Sequence, residues 1–562
     1  MDNQRLILFL VFSFSLVMLW DAWQRQHLPQ PQATSSTAAT NAGAPTPTPL
    51  PATSMAAVPT PNLPAGSVVL PTDVVAPAGQ PRAIVRTDLF VAEISALGGD
   101  ITRLELTRHK ATEDMARNFV IFEDKHAYAA QSGLIGATSA VPGAVVLPSH
   151  KTVWRLPESG AELANGQDEL RLRLEAPAAE GGVAVAKTYV FRRGSYLIDV
   201  EYEVANGGSA PLGGYAYFQF VRNDVPPDGA NAMMSTFTGP AFFSDAEKYQ
   251  KVAFEDIAKG KAKHAGKVGD GWVAMVQHYF VSAWLPPGKG EREFFTRKIG
   301  DNLFAAGVIL PVAPVAPGAT AKLVVPLYAG PQEQAKLEKI ATGLDLVVDY
   351  GWLTVIAAPL YWVLELIHRL LGNWGWAIIG LTMLLKAAFF PLSAASYKSM
   401  AKMRLLTPKL MKLKEAYADD KQRMNQEMME LYKREKVNPL GGCLPVLVQI
   451  PVFIALYWVL LGSVEMRQTP WLGWITDLSA KDPYFVLPLI MGATMFIQTK
   501  LNPTPPDPMQ AKIMLFMPIV FTGMFLFFPS GLVLYWTVNN VLSIAQQWQV
   551  NRMIEKAGLK AH

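Results

Sequence analysis

Lys386 is the residue of this chain best placed to do chemistry, because it lies where a cation is costly. It sits inside Gly375–Pro391 (GWAIIGLTMLLKAAFFP), which is otherwise apolar apart from Thr382 and long enough for a short membrane helix. An ionisable residue at membrane depth is a functional candidate by default. Its amine also has the option of snorkelling, since Pro391 is only five residues away. Neighbouring apolar segments carry uncharged polar side chains: Gln449, Thr494, Gln498, Thr522, Thr537, Asn539, Asn540 and Ser543. With Thr382 these can act as interhelical glue, or they can line a wet cavity around the lysine. No Asp or Glu falls within the five C-terminal apolar segments. An ammonium without a buried acidic partner calls for water, hence for a hydrated groove reaching it from the cytoplasm. The same absence argues against a proton relay.

The segments that must position these side chains are Gly375–Pro391, Cys443–Ser463, Tyr484–Thr499, Ile513–Phe528 and Gly531–Gln547. Leu6–Trp20 adds a sixth, read as an uncleaved anchor because no small-x-small cleavage pattern follows it closely. Spans of sixteen or seventeen residues reach only roughly 25 Å, against a hydrocarbon core of about 30 Å. Such helices should thin the bilayer around them. Trp352–Leu371 carries Glu365, His368 and Arg369 on one side and apolar residues on the other, which suits a helix lying in the interface. Ser393–Gly442 holds eleven Lys and Arg residues, whereas Val464–Pro483 holds only Arg467 and Lys481. The basic loop is therefore expected in the cytoplasm, both termini with it, and the large segment before residue 344 outside. Within that loop Ala394–Tyr417 and Lys421–Lys436 read as two methionine-lined helices, with Asp420 as N-cap.

Of the 562 residues 50% are apolar, the formal net charge is +4, and Cys443 is the single cysteine. That excludes an internal disulfide framework and a thiolate metal cluster. Pro29–Pro81 holds twelve prolines among Ala, Thr and Ser, the composition of an extended spacer. From about Arg82 to Pro331, alternating runs such as Ile84–Val91, Ile101–Leu106, Val183–Phe191 and Lys322–Tyr328 are separated by Gly and Asn turns. Period-two patterning of this kind predicts an all-β sandwich. His109, His126, His150, His264 and His278 are scattered through it without metal-ligand spacing, and each is expected to be an ordinary surface or core histidine.

Longer motifs then bring a resemblance. KVNPLGGCLPVLVQIPVFIALYWVL (Lys436–Leu460), DPMQAKIMLFMP (Asp507–Pro518), FPSGLVLYWTVNN (Phe528–Asn540), SYKSMAKMRLL (Ser396–Leu406) and LDLVVDYGWL (Leu344–Leu353) resemble the YidC membrane insertases of Gram-negative bacteria. The likeness runs the whole chain in order. It implies an α-helical polytopic membrane protein with six transmembrane helices, a five-helix insertase core and a large periplasmic all-β sandwich domain. The expected plan is an anchor (1–25), a linker (26–81), the β-sandwich (82–343), an interfacial helix (344–372) and the core (373–549). The core contains the cytoplasmic helical hairpin (393–442), and a short tail (550–562) follows it.

The resemblance further implies a groove open to the cytoplasm and to lipid, whose positive residue attracts acidic parts of substrates. Lys386 stands where the family usually has arginine, so the charge is kept and the planar fork is lost. Thr382 and Trp536 fall at groove positions, tyrosine being usual at the latter, and Gln449 is a further candidate. No cofactor, metal or covalent catalysis is implied. The partners implied are nascent membrane proteins, the Sec translocon and its accessory proteins, the translating ribosome and membrane lipids, with no DNA. The competing readings are a solute transporter or channel, and an envelope enzyme or binding module anchored by helices.

Overall fold

The computed structural model describes residues 79–556 apart from 113, 137–144, 159, 180, 230–235, 418–419, 436–443 and 503–507. The expected anchor Leu6–Trp20, nearly all of the spacer and Cys443 lie outside the described residues.

Residues 82–331 form two antiparallel-rich sheets packed face to face. One is 10-stranded and the other 8-stranded among the described residues. Alternation sets each strand's faces: in Arg82–Arg86, Ala83 and Val85 are buried while Arg82, Ile84 and Arg86 are exposed. Inward-facing Phe90, Leu104, Phe122, Tyr202, Phe218 and Trp284 build the core between the sheets. Ile84–Val91, expected as one run, is two strands, Arg82–Arg86 and Phe90–Ser95, paired antiparallel. The Thr87 hydroxyl makes the turn between them, accepting from the Leu89 and Phe90 amides at 3.2 and 2.9 Å. A buried ion pair, Lys187 Nζ to Asp100 Oδ1 at 3.1 Å, pins the Gly98–Gly99 turn, with Lys187 also donating to the Gly98 carbonyl. Each member of this pair has a partner, so it reads as structural.

Strands Trp272–Gln277 and Phe280–Trp284 are buried on both faces. Val273 and Met275 point into the sandwich, whereas Trp272, Ala274 and Val276 join a second core. That second core continues through Leu344, Val347 and Leu353 into the C-terminal helices, so the sandwich is welded to them. Polar contacts reinforce the weld. His278 Nε2 lies 3.0 Å from the Leu461 carbonyl, and Lys110 and Gln468 exchange hydrogen bonds of 3.1 and 2.8 Å.

Two short helices, α1 (Phe254–Ala258) and α2 (Gln334–Ile340), belong to the sandwich and its exit. The helical region comprises α3 (Thr354–Leu371), α4 (Trp374–Ala388), α5 (Phe390–Ala416), α6 (Lys421–Arg434), α7 (Leu444–Gly462), α8 (Val486–Leu501), α9 (Pro508–Phe525) and α10 (Ser530–Lys556). Gly372 ends α3 at φ +68, returning its N–H to the His368 carbonyl, and Asn373 caps α4 by accepting from the Trp376 amide.

The segment expected to run to Pro391 instead breaks at Phe389. There α4 and the start of α5 meet at a bend of 63°. Pro391 sits in the first turn of α5, where a missing N–H breaks no hydrogen bond. The basic loop folds as expected into α5 and α6, and the Asp420 side chain accepts from the Arg423 amide at 3.0 Å. The last helix runs past the expected boundary at 549 to Lys556.

Among the described residues Gly351–Leu371 is the one stretch long and apolar enough to cross a membrane unaided. Its faces are unequal, however. Ala357, Leu360, Tyr361 and Leu364 are buried, and Arg369 pairs with Glu365 on the exposed side. α4 has 15 residues and α8 has 16, which makes them short for a bilayer.

Candidate functional site

The side chains singled out from the sequence converge. Lys386 and Thr382 lie one turn apart on α4, Gln449 comes from α7, and Trp536, Asn539 and Ser543 come from α10. α10 packs along α4, α5 and α8, which closes the arrangement. A cavity of about 360 Å³ is lined by Lys386, Gln449, Trp536, Asn539, Asn540 and Ser543, by Gln498 and Thr499 of α8, and by Ser393, Ser396 and Tyr397 of α5. A small apolar recess continues from it past Lys386, Gln449 and Phe453 to Thr382 and Tyr535. Of the four expected groove residues, Lys386, Gln449 and Trp536 line the cavity, and Thr382 lines only the neighbouring recess.

Lys386 is 9% exposed, and its ammonium donates to the Ser543 hydroxyl at 2.6 Å. Ser543 Oγ in turn donates to the Asn539 carbonyl at 2.8 Å. Lys386 also lies in the last turn of α4, where a cation is favoured by the unpaired carbonyls of the helix end. No carboxylate is among the described lining residues. The site therefore offers one buried positive charge to an anionic group, within walls where amide and hydroxyl side chains alternate with Met400, Phe453, Met495 and Trp536.

Thr382 is buried and returns its hydroxyl to the Ile378 carbonyl at 2.7 Å, so within the described contacts it contributes shape rather than a hydrogen bond across the cavity. Trp536 is half-buried against Phe453 and Phe525, at ring separations of 5.5 and 5.8 Å. Gln449 is half-buried on the wall. Some of the other polar residues are glue after all. Asn540 reaches Thr494 at 3.3 Å, while Thr522 and Thr537 bond back within their own helices. Gly492 lets α8 approach α9, because a Cβ there would meet Thr522 Oγ1 at 2.1 Å.

Sequence reasoning missed the contribution of α5. Ser393, Ser396 and Tyr397 line the cavity because α5 starts at the bend, and the signal available was Pro391 at a helical first turn. It also missed Gln546, which donates to the Lys386 carbonyl at 3.2 Å and ties α10 to the end of α4.

Comparison with known proteins shows the family of the chain. A family model described as the YidC periplasmic domain matches residues 82–363, and one described as the 60Kd inner membrane protein matches residues 366–557. A protein of Aromatoleum aromaticum named membrane protein insertase YidC is 61% identical, over 100% of both chains. One of the same name from Dechloromonas aromatica is 56% identical over 100% of this chain and 99% of its own. The solved structure titled an active YidC insertase, with its first transmembrane domain resolved, is 18% identical at a TM-score of 0.37, covering 83% of this chain and 94% of its own. With both family models matching in order and such relatives alike from end to end, the chain belongs to the YidC family.

Proposed function

We propose that this chain inserts integral proteins into the inner membrane, the activity for which its relatives are named, and that it also helps them fold and assemble. The observation that carries this reading is the buried Lys386 ammonium on the wall of a cavity whose described lining mixes amide, hydroxyl and apolar side chains and holds no carboxylate. In this reading the cavity is a hydrated groove, open to the cytoplasm and to lipid and sealed outwards. Lys386 draws in acidic, hydrophilic parts of a substrate, while Thr382, Gln449 and Trp536 meet the passing chain. Apolar segments then leave sideways into lipid. The short α4 and α8 thin the bilayer, which lowers the barrier to the polar part. Attraction and desolvation do the work, so no cofactor and no covalent step is required and the protein is not an enzyme.

The topology that fits is six spans, namely the N-terminal anchor with α4, α7, α8, α9 and α10. The sandwich then lies in the periplasm, and the basic α5–α6 hairpin and both termini lie in the cytoplasm. α3 rests in the interface, since the Glu365–Arg369 pair on its exposed side would be costly in hydrocarbon. Nascent membrane proteins are the substrates. The Sec translocon with its accessory proteins, the translating ribosome and membrane lipids are the partners. The direct test is a photo-crosslinking residue at Gln449 or Trp536, with a ribosome-stalled chain carrying one apolar segment and an acidic tail. Crosslinks from both positions are expected. Their absence from a correctly targeted complex would remove the groove from the mechanism.

A further inference from the structure

A second cluster lies far in sequence from the groove, on the sandwich. The turn around Asp124–His126 is a tight reversal in which Glu123 and Tyr128 exchange backbone hydrogen bonds of 3.1 and 3.0 Å. The loop entering Asp228 is stitched onto that turn. The Asn223 amide donates to the His126 carbonyl at 2.9 Å, and Asn223 Nδ2 donates to the Lys125 carbonyl at 3.3 Å. Two segments about a hundred residues apart are thereby held at a fixed spacing. They present Glu123, His126 and Asp228 to one point, with one ligand atom from each lying within 4.8 Å of the others.

His126 makes this more than an acidic patch. It is only 4% exposed, and neither ring nitrogen makes a hydrogen bond of good geometry, although the Asn223 side chain and the Glu123 carboxylate lie beside the ring. Buried polar atoms are rarely left so, and each such case asks for an explanation. Its Nε2 points at the two carboxylates, 3.3 Å from Glu123 Oε1 and 4.0 Å from Asp228 Oδ1. Ligands about 2.1 Å from a tetrahedral ion are about 3.4 Å apart, so these separations fit a shared cation after small side-chain adjustments.

We propose that Glu123, His126 and Asp228 form a binding site for a divalent transition-metal ion, Zn²⁺ by its donor set. One imidazole nitrogen and two carboxylate oxygens suit zinc, with a water in the fourth position. Such a set binds manganese more weakly and is too nitrogen-rich to prefer magnesium or calcium. Lys125 pairs with Asp228, but its side chain is 58% exposed and can swing into solvent as an ion replaces the ammonium. The nearby Arg222 is committed to Gln277 at 2.8 Å and to the Tyr128 ring, so it need not move. The bound ion would clasp the 223–228 loop onto the sandwich. It requires nothing of the groove and stands or falls separately from it.

The test uses tag-free, full-length protein in detergent micelles, titrated with ZnCl₂ by calorimetry and followed by thermal unfolding, with MgCl₂ and CaCl₂ in parallel. One saturable zinc site and a rise in Tm with zinc are expected, with neither effect from magnesium or calcium. Glu123→Gln and Asp228→Asn should each weaken zinc by more than the about 10-fold that even an outer-sphere change costs. His126→Ala should abolish it. His126 is buried and its removal can unfold the turn; if that variant is unstable, the two carboxylate variants decide between a site and no site. No saturable zinc binding by the unmodified protein, or equal binding by the Glu123→Gln and Asp228→Asn variants, would overturn the proposal.

Discussion

Lys386 Nζ donates to Ser543 Oγ at 2.6 Å while the same hydroxyl donates its own hydrogen to the Asn539 carbonyl at 2.8 Å. A hydroxyl has one hydrogen to give, so Ser543 can meet the ammonium only as an acceptor. That orientation steers the lysine towards α10. The remaining ammonium hydrogens stay available to water or to a substrate carboxylate.

From this follows a prediction about charge. Lys386→Arg should insert a small protein with an acidic translocated tail within about 2-fold of the unmodified chain, since a guanidinium still reaches a hydroxyl. Lys386→Glu should lower that insertion at least about 10-fold, roughly 1.4 kcal/mol of lost attraction and added repulsion. Protease protection of the tail in proteoliposomes measures both. Equal insertion by the Arg and Glu variants would sink the electrostatic mechanism.

A second prediction concerns the sandwich. Its outer sheet face shares a core with Leu344, Val347 and the helices, and Arg467 donates to the Lys110 carbonyl while lying over Phe119 and Phe280. Deleting Val85–Gly330 while keeping α3 removes that face, uncovers Leu344, Val347 and the helix residues it covered, and leaves Arg467 without these contacts. Insertion should be largely retained, because the Lys386 cavity takes no wall from the sandwich. The Tm should nevertheless fall by several degrees. A truncated protein that reaches the membrane at normal levels but inserts nothing would give the sandwich a direct role in insertion.

What was legible in the sequence was whatever carried a local signature. Alternation announced the strands, and a lone cation in an apolar run announced Lys386. The turn at Thr87 was not legible, because it has neither Gly nor Pro and is closed by a threonine hydroxyl. Nor was the bend at Phe389, since the apolar run continues through it without interruption. Ser543 was visible only as one polar residue among several. Its pairing with Lys386 joins positions 157 apart, and such a contact leaves no mark in local sequence. Asp228 escaped notice for the same reason, while Glu123 and His126 form a pair too common to single out.

Acidity offers a third prediction. Glu465 lies just beyond α7 and accepts from the Tyr361 hydroxyl at 2.7 Å, yet burial pushes its carboxyl up to about 7 from the ordinary 4.5. Between those values the folded protein holds a proton that the unfolded chain has already released. Stability should therefore fall as pH rises from about 4.5 to about 7, and this contribution should level off above that. Glu465→Gln keeps an acceptor for Tyr361 and removes the charge. It should stabilise the protein at pH 8 by on the order of 1–2 kcal/mol and flatten the slope. Thermal unfolding of both proteins across this range decides it, and identical slopes would refute the assignment to Glu465.

The last prediction tests the sidedness of the cavity. Single cysteines at Ser396, Lys386 and Thr382, in a Cys443→Ser background, sample the α5 wall, the cation position and the deep recess. Positions four apart on one continuous helix would have served if α4 ran through to Pro391. The bend at Phe389 moves the third probe onto α5 instead. With a membrane-impermeant thiol reagent added to inside-out vesicles, Ser396→Cys should react fastest and Lys386→Cys more slowly. Thr382→Cys, which is 1% exposed at the native threonine, should react slowest. None should react when the reagent is added from the periplasmic side. Snorkelling without a groove predicts that Ser396→Cys alone is reached. Labelling of Lys386→Cys from outside would contradict a sealed groove and favour a channel, because water would then reach the lysine from both faces of the membrane.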